Sequence, residues 1–217
     1  MTIVLATKNP GKLAEIRTML QGLPVDVVSI SEVLPTYVSP IEDGDTFEAN
    51  AFKKARAVAA ATQLVTLADD SGLVVDALGG RPGVRSARYA GEGASDAENN
   101  AALLSAMSEV DDPQRTARFR CVIAMVDPYL DLDRPVYAEG RCEGTIARSA
   151  RGESGFGYDP LFVVTGLGRT FAELSHAEKN ALSHRGKAVA ALVPHVESLI
   201  RARVQEAKSV LVGQGSS

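Results

Sequence analysis

The chain has 217 residues, of which 45% are hydrophobic and 23% charged, so its composition is that of an ordinary globular protein. Its length suits one large domain or two lobes that share a core. A net charge of −4 argues against a dedicated nucleic-acid binder, which is usually basic, but leaves a small polyphosphate substrate open.

Two further features bear on the compartment. The first apolar run ends at Lys8 and is too short for a signal peptide, and no segment approaches the roughly 20 apolar residues that span a bilayer. Cys121 and Cys142 lie in apolar or alternating segments, which favours free thiols in a reducing cytosol over one disulfide. We therefore expect a cytoplasmic protein without membrane contact.

The first part of the chain is predicted to alternate strands and helices. Residues 3–6 form an apolar strand, and residues 12–21 form a helix whose apolar positions fall three and four apart. Residues 25–30 are predicted as a second strand, and residues 31–44, with their prolines and acids, as a loop. The helix predicted over 46–63 begins with a threonine that suits the N-cap position.

The middle of the chain is predicted to form two strands joined by a turn. An apolar strand over 64–68 ends at two aspartates, and a second strand covers 72–78. A turn over 71–72 would place both acids at the edge of the sheet. Residues 79–93 are rich in Gly and Arg and are predicted as a long loop, and residues 95–109 as a helix.

The last part of the chain is predicted to add an antiparallel pair. Residues 116–126 and 136–146 alternate apolar and polar side chains over two long runs, and residues 161–164 form a short strand. A helix is predicted from residue 180 onward, and the small, polar segment 207–217 is predicted as a flexible tail. Parallel-type units followed by long antiparallel strands predict an α/β fold with a mixed sheet and a cleft between its halves.

The segment from Thr7 to Lys12 is a candidate anion site. It follows an apolar strand, contains Asn9, Pro10 and Gly11, and carries two lysines ahead of a helix start, where backbone N–H groups favour anions. It lacks the spacing of a Walker A loop. Because Asn-Pro-Gly also forms ordinary turns, the local sequence leaves a connecting turn and a phosphate site equally open.

Two adjacent acids, Asp69 and Asp70, end an apolar strand. Side chains alternate along a strand, so one carboxylate is expected to face a cleft and the other a helix end or an arginine. Carboxylates at strand ends suit Mg²⁺, which prefers oxygen ligands and keeps several waters. Further acids at Glu42, Asp43 and Glu48 favour a functional site here over a solvated turn.

Two polar segments near the end of the chain complete the candidate site. Residues 156–160 place two aromatic rings around a glycine, which suits stacking on a nucleobase and equally suits the start of a core strand. Residues 183–187 group an imidazole with two cations, which suits a phosphate or a purine oxygen but also a solvated helix start. Together, the anion loop, the acid pair and the basic cluster suggest chemistry on a nucleotide.

Taken in order, these motifs resemble the family of inosine and xanthosine triphosphate pyrophosphatases, also called Ham1-like. The likeness covers nearly the whole chain, to about Arg203, and each motif is modest by itself whereas the ordered set is highly specific. The matching segments are 7–12 (TKNPGK), 42–51 (with TFEANA at 46–51), 68–73 (ADDSGL), 79–84 (GGRPGV), 86–89 (SARY), 155–160 (GFGYDP) and 183–186 (SHRG).

The resemblance implies a fold and a reaction. The fold would be an elongated central mixed β-sheet with flanking helices forming two lobes around a nucleotide cleft, in one domain over 1–206. The reaction would be a Mg²⁺-dependent cut between the α- and β-phosphates of ITP, dITP or XTP, in preference to ATP and GTP, giving a monophosphate and pyrophosphate. The resemblance also implies a homodimer.

The resemblance further implies a role for each matching residue. Asp70 would be the general base or a metal-linked carboxylate, with Glu42 as the companion metal ligand. The residues that would hold the triphosphate, the nucleotide and its base are Thr7, Lys8, Asn9, Pro10, Gly11, Lys12, Ser71, Phe156, Gly157, Tyr158, Asp159, Lys179, His184 and Arg185.

Two other functions stay open at this point. One is a pyrophosphatase for modified pyrimidine or other non-canonical nucleotides, and the other is a module that binds a nucleotide without hydrolysing it. Intact acids at Asp69, Asp70 and Glu42 argue against the binding module, because a pure binder needs no paired carboxylates.

Overall fold

The computed structural model describes residues 1–214 of the chain. These residues form six strands and six α-helices, with four short 3₁₀ segments at 76–78, 83–88, 112–114 and 171–173. The strands are β1 Thr2–Leu5, β2 Asp26–Ser29, β3 Val65–Val75, β4 Thr116–Val126, β5 Val136–Ile146 and β6 Phe162–Val164. The helices are α1 Pro10–Leu20, α2 Ile30–Val33, α3 Phe47–Thr62, α4 Asp96–Ala106, α5 His176–Leu182 and α6 His184–Gln214.

All six strands form one mixed sheet in the order β2-β1-β3-β4-β5-β6. β1 pairs in parallel with both β2 and β3, whereas β3, β4, β5 and β6 pair in antiparallel fashion. The predicted mixed α/β sheet and the predicted antiparallel pair of long strands are therefore confirmed. Three strands of 11 residues each, β3, β4 and β5, give the sheet its length.

The turn predicted over 71–72 is wrong, because β3 continues unbroken through both residues. Ser71 pairs with Cys121 and Gly72 with Arg120 in the β3–β4 ladder. Gly72 serves another purpose: a Cβ at this position would lie 2.3 Å from the backbone oxygen of Gly83. The glycine thus permits close packing of the following segment against the strand.

That following segment, 79–93, was expected to be a loop without structure of its own. It contains a 3₁₀ helix over Gly83–Arg88 that lies against β3. Ser86 fixes it there, because its hydroxyl donates to the carbonyl of Gly83 at 2.6 Å and accepts from the backbone N–H of Leu73 at 2.9 Å.

Helices cover both faces of the sheet, and the hydrophobic core is divided between two lobes. α1 and α6 pack on one face of the first half, burying a cluster that includes Ile3, Leu67 and Leu192. α3 packs on the opposite face through alanines and Phe47. A separate cluster around Phe162 contains side chains from the C-terminal part of β3, the N-terminal part of β4 and the C-terminal part of β5, together with side chains of β6 and α4. The cleft lies where these clusters meet.

The helix predicted from residue 180 is in fact two helices, which meet at Ser183. This residue is extended, with ψ at 157°, and its hydroxyl accepts from the backbone N–H of Gly186, so that α6 begins at His184. α6 continues through Gln214, so the described part of the predicted tail is helical, and 215–217 lie outside the described residues.

α6 also approaches β5 closely. A Cβ on Gly140 would lie 2.0 Å from the backbone oxygen of His184 and 2.4 Å from the backbone nitrogen of Ala188. The glycine therefore sets how near the first turn of α6 comes to the sheet. Within residues 1–214, no helix combines the length and the apolar character needed to cross a membrane.

Candidate active site

The anion loop, residues 7–12, leads into the first turn of α1 and lies beside β3. Asn9 caps the helix, since its Oδ1 accepts from the backbone N–H groups of Gly11 at 2.9 Å and Lys12 at 3.2 Å. Pro10 is the first helical residue, and Thr7 accepts from the N–H of Asn9. Two of the N–H groups expected to face an anion are therefore occupied by the cap.

The lysines of this loop differ in their surroundings. Lys8 is exposed, whereas the Lys12 ammonium lies 2.9 Å from a carboxylate oxygen of Asp69 on β3. The same loop reaches the aromatic segment 156–160, because a Cβ on Gly11 would lie 3.6 Å from the ring of Phe156. The structure thus places the anion loop between Asp69, the first acid of the pair, and the aromatic segment.

Asp69 and Asp70 point to opposite faces of β3, as strand alternation requires. Asp69 faces α1 and α6, where Lys12 and Arg185 contact it at 2.9 and 3.3 Å. Burial works to raise the pKa of Asp69, but the charges of Lys12, Arg185 and Lys54 outweigh it and hold the pKa well below its usual range. Asp69 is therefore a fully paired, ionised carboxylate and not a free base.

Asp70 faces α3 instead. Asn50 donates to its Oδ2 at 3.2 Å, and the Lys54 ammonium lies 3.4 Å from its Oδ1. Burial and the negative charge of Glu42 raise the pKa of Asp70, while Lys54 opposes the rise. A carboxylate with a raised pKa is a better proton acceptor than an ordinary aspartate, which suits general-base chemistry.

Glu42 reaches the same place from the loop before α3. Its carboxylate lies 2.9 Å from the Lys54 ammonium, which therefore sits between the two acids Glu42 and Asp70. The Lys54 ammonium also donates to the carbonyl of Asp69 at 2.8 Å. Burial lowers the pKa of Lys54, but the three nearby acids outweigh it and keep the lysine charged.

Two carboxylates around one ammonium leave an excess of negative charge, and this donor set fits a hard divalent cation. Mg²⁺ is commonly held by one or two carboxylates together with waters and substrate phosphates, and not by a complete protein cage. In keeping with this, residues 1–214 contain no group of three or more acid, His or Cys side chains arranged as a metal cage. Glu42 and Asp70 are thus suited to hold a metal that a phosphate completes.

A cavity of about 180 Å³ is lined by Ser71 and Gly72, the two residues that follow Asp70 on β3, whereas Asp70, Glu42 and Lys54 are not among its lining residues. The residues from the predicted set that line it are Asn9, Lys12, Ser71, Phe156, Gly157, Tyr158, Asp159, Lys179, His184 and Arg185. Its walls come from α1, β3, the segment before β6 and the junction of α5 with α6. The structure therefore brings most of the predicted substrate residues to one cavity.

Lys179 and Asp159 form a buried pair on one wall, 2.7 Å apart, and Lys179 also lies 4.6 Å from the centre of the Phe156 ring. Arg185 lies beneath the same ring at 5.7 Å and donates to Ser71 Oγ at 3.1 Å. Burial raises the pKa of Asp159 although Lys179 opposes it. Phe156 is thereby a flat ring backed by two cations.

His184 lies flat on Phe119, with ring centres 4.7 Å apart and planes inclined by 11°. Burial, with the charges of Arg185 and Lys179, holds the pKa of this imidazole well below its usual range. The ring is therefore neutral at pH 7. Its Nδ1 is buried without a hydrogen-bond partner among the described residues, so it keeps polar capacity for a ligand.

Tyr158 differs from the expectation that two rings flank a base. It is 3% exposed and belongs to the core cluster, and its hydroxyl donates to the carbonyl of Ser86 at 2.8 Å. Its pKa is raised by burial. Phe156 is thus the ring of this segment that remains a candidate for stacking on a base, and Tyr158 anchors the segment to the 3₁₀ helix.

Sequence reasoning missed Asn50 and Lys54, which contact Asp70. Both lie on the buried face of α3, four residues apart, together with Phe47, Ala51 and Ala55. Two polar residues at helical spacing along a buried face were the available signal. Glu15 was also missed, and it contacts both Lys179 and Arg185 from α1.

Known proteins resemble this chain in both sequence and structure. A dITP/XTP pyrophosphatase of Desulforamulus reducens is 54% identical over 87% of this chain and 92% of its own length. The dITP/XTP pyrophosphatase of Geobacter sulfurreducens is 52% identical over 89% of this chain and 96% of its own length. A HAM1 protein from Coxiella burnetii has a similar structure, with a TM-score of 0.84 and 45% identity, covering 91% of this chain and 99% of that one.

A sequence profile described as the Ham1 family matches residues 3–195. This range includes the anion loop, the acid pair, the aromatic segment and the basic cluster at the start of α6. The match and the close relatives confirm both the predicted fold class and the family resemblance: the chain belongs to the Ham1 family.

Proposed function

We propose that this protein hydrolyses non-canonical purine nucleoside triphosphates, namely ITP, dITP and XTP, to the monophosphate and pyrophosphate. The observation that carries the proposal is that one strand, β3, carries Asp70, which shares the Lys54 ammonium with Glu42, and then Ser71 and Gly72, which line a cavity containing an aromatic ring and cations. The relatives named dITP/XTP pyrophosphatase, similar over most of the chain, support the same activity.

Asp70 accepts the proton of the attacking water in this proposal. Its pKa is raised by burial and by Glu42, which makes it a stronger proton acceptor than an ordinary aspartate. Asn50 orients the carboxylate by donating to Oδ2. Asp70 and Glu42 would hold Mg²⁺, which when bound neutralises the phosphate charge that otherwise repels a nucleophile.

The triphosphate lies along the start of α1. Lys12 and Lys8 offset its negative charge, and the helix N-terminus adds a favourable field. The Asn9 side chain uses its oxygen in the cap, which leaves its amide nitrogen as the donor towards a ligand. Gly11 keeps this approach open because it carries no side chain beneath Phe156.

The base occupies the cavity against Phe156. Lys179 and the neutral imidazole of His184 offer polar groups to the base edge. Donors placed against a 6-oxo group are left unpaired by the 6-amino group of adenine, and an unpaired buried donor costs affinity. This is how the cavity favours inosine and xanthosine over adenosine.

The proposal extends to assembly and compartment. By family resemblance the protein is a homodimer in the cytoplasm. Both cysteines, Cys121 and Cys142, are buried free thiols, as predicted, and this agrees with a reducing compartment. The measured mass in solution tests the dimer.

A product assay tests the activity. Purified protein is incubated with Mg²⁺ and each of ITP, dITP, XTP, ATP, GTP and dTTP, and monophosphate, pyrophosphate and orthophosphate are quantified. We expect monophosphate and pyrophosphate in equal amounts from the first three nucleotides. Orthophosphate as the primary product contradicts the proposal, preferential cleavage of another nucleotide favours the other pyrophosphatase, and tight binding of ITP without cleavage favours a binding module.

A further inference from the structure

Helix α4 binds both backbone polar groups of one residue in the aromatic segment, Gly157. The carboxylate of Asp96 accepts from the backbone N–H of Gly157 at 2.6 Å, and the Nδ2 of Asn100 donates to the backbone carbonyl of Gly157 at 2.9 Å. Asp96 and Asn100 are four residues apart and therefore lie on the same helix face. Gly157 is the residue between the stacking ring Phe156 and the anchor Tyr158.

The same face of α4 also binds the segment that includes Ala87 and Ala90. Asn99 accepts from the backbone N–H of Ala90 at 2.9 Å and donates to the carbonyl of Ala87 at 3.2 Å. Asp96, Asn99, Ala87 and Gly157 all line the cavity. One helix thus binds two segments that both contribute residues to the cavity lining.

The hydrogen bonds from α4 to Gly157 matter because glycine is conformationally permissive. Its φ is +62°, in the left-handed region, and a Cβ there would meet nothing within 4 Å, so packing does not hold it in place. Hydrogen bonds from α4 supply the restraint that packing does not. A base-binding segment ordered in advance does not lose that freedom when ligand binds, and its affinity is correspondingly higher.

We propose that Asp96 and Asn100 are positioning residues for base recognition, which act by fixing the Gly157 peptide and through it the ring of Phe156. The inference rests on the proposed function, because it assumes that the base occupies this cavity. It assigns these two residues to affinity for the nucleobase and not to the metal, the phosphates or the chemical step.

A matched pair of variants on the first turn of α4 tests the proposal. Asp96→Ala removes the acceptor for Gly157, whereas Glu98→Ala removes a cap in which the carboxylate accepts from the backbone N–H of Ser95 at 2.7 Å. Both variants delete one negative charge from the same helix end, so both weaken the helix to a similar degree. The contact with Gly157 is the difference that the pair measures.

For Asp96→Ala we expect KM for dITP to rise about tenfold, as for the loss of one charge-assisted hydrogen bond, with kcat nearly unchanged. Calorimetric affinity for dIMP should fall by a similar factor, while affinity for pyrophosphate, which has no base, should stay as in the unaltered protein. Glu98→Ala should match the unaltered protein in all of these. Equal KM and dIMP affinity in the two variants overturns the proposal.

Asn100→Ala separates positioning from direct contact. The Oδ1 of Asn100 is buried without a partner among the described residues, so this substitution removes the bond to Gly157 and no other described hydrogen bond of the side chain. We expect the same base-dependent loss as in Asp96→Ala. A loss in Asp96→Ala with none in Asn100→Ala shows that Asp96 touches the base directly and overturns positioning through Gly157.

The proposed function can fail separately. If the unaltered protein does not cleave dITP, the proposed function is wrong whatever the variants do. If the unaltered protein cleaves dITP and binds dIMP, while neither Asp96→Ala nor Asn100→Ala alters that binding, the function stands and the positioning role is wrong.

Discussion

The two faces of β3 at Asp69 and Asp70 differ in charge balance. On the α1 and α6 face, the described contacts pair three acids with three cations, which are Asp69, Glu15 and Asp159 with Lys12, Lys179 and Arg185. On the α3 face, two acids, Asp70 and Glu42, share the ammonium of Lys54. Adjacent residues of one strand thus lie in a neutralised network and in an acidic one.

This difference teaches which acid is available for chemistry. A carboxylate satisfied by buried cations is held ionised and is costly to disturb. A carboxylate beside a second acid has its pKa raised and gains from an added cation. The balanced face builds and positions the cavity, and the unbalanced face is where metal and water are expected.

Asp70→Asn should produce the largest effect on activity. The amide cannot accept the proton of water, so we expect kcat for dITP to fall by about 10²–10⁴-fold. Stability should be unchanged or slightly higher, because the raised pKa of Asp70 shows that its charged form is disfavoured in the folded protein. Pyrophosphate release and thermal unfolding measure the two effects, and full activity would remove Asp70 from the mechanism.

Asp69→Asn should produce the opposite pattern, a loss of stability. The amide keeps the volume but leaves Lys12 and Arg185 without their shared buried counter-charge, which costs about 3 kcal/mol. For a chain of this size, the unfolding midpoint should fall by roughly 10 °C. A variant as stable as the unaltered protein would show that the balance on this face is not structural.

The balanced face also predicts a smaller, pH-dependent effect at His184. Its pKa is lowered in the folded state by burial and by the charges of Arg185 and Lys179, so below pH 6.5 the unfolded chain binds a proton that the folded protein does not. Stability should therefore fall as pH drops below 6.5, by at most about 1.4 kcal/mol per pH unit for one proton.

The measurement is the unfolding free energy between pH 5 and pH 7.5. His184→Gln should flatten the dependence, since glutamine does not titrate in this range. His195→Gln is the control, because His195 is exposed on α6 and its removal should leave the slope unchanged. Equal slopes for the His184 variant and the unaltered protein would contradict this role of the cationic neighbours.

Local patterns predicted much of the fold. The long alternating runs of β4 and β5 and the capping threonine of α3 were recognisable because each depends on neighbouring residues. Gly72 was misread as a turn, because the reason for a glycine there is the backbone of Gly83, which no local pattern reports. The break at Ser183 was likewise missed, although its hydroxyl makes a local cap.

The candidate site was predictable in its residues more than in its contacts. Strand alternation correctly separated the directions of Asp69 and Asp70. The sequence did not reveal that Lys54 lies between Asp70 and Glu42, because that arrangement depends on how α3 and the loop before it pack on β3. Charge balance across a strand is a tertiary property, and it becomes visible only when the helices on both faces are in place.

The length of α6 has a practical consequence. The helix begins with His184 at the cavity and runs for 31 residues, which at 1.5 Å per residue is about 45 Å. A purification or immobilisation handle attached to the carboxyl end would therefore be held far from the nucleotide. Surface-coupled binding experiments should be anchored at that end, and a handle fused ahead of β1 would lie much nearer to the anion loop.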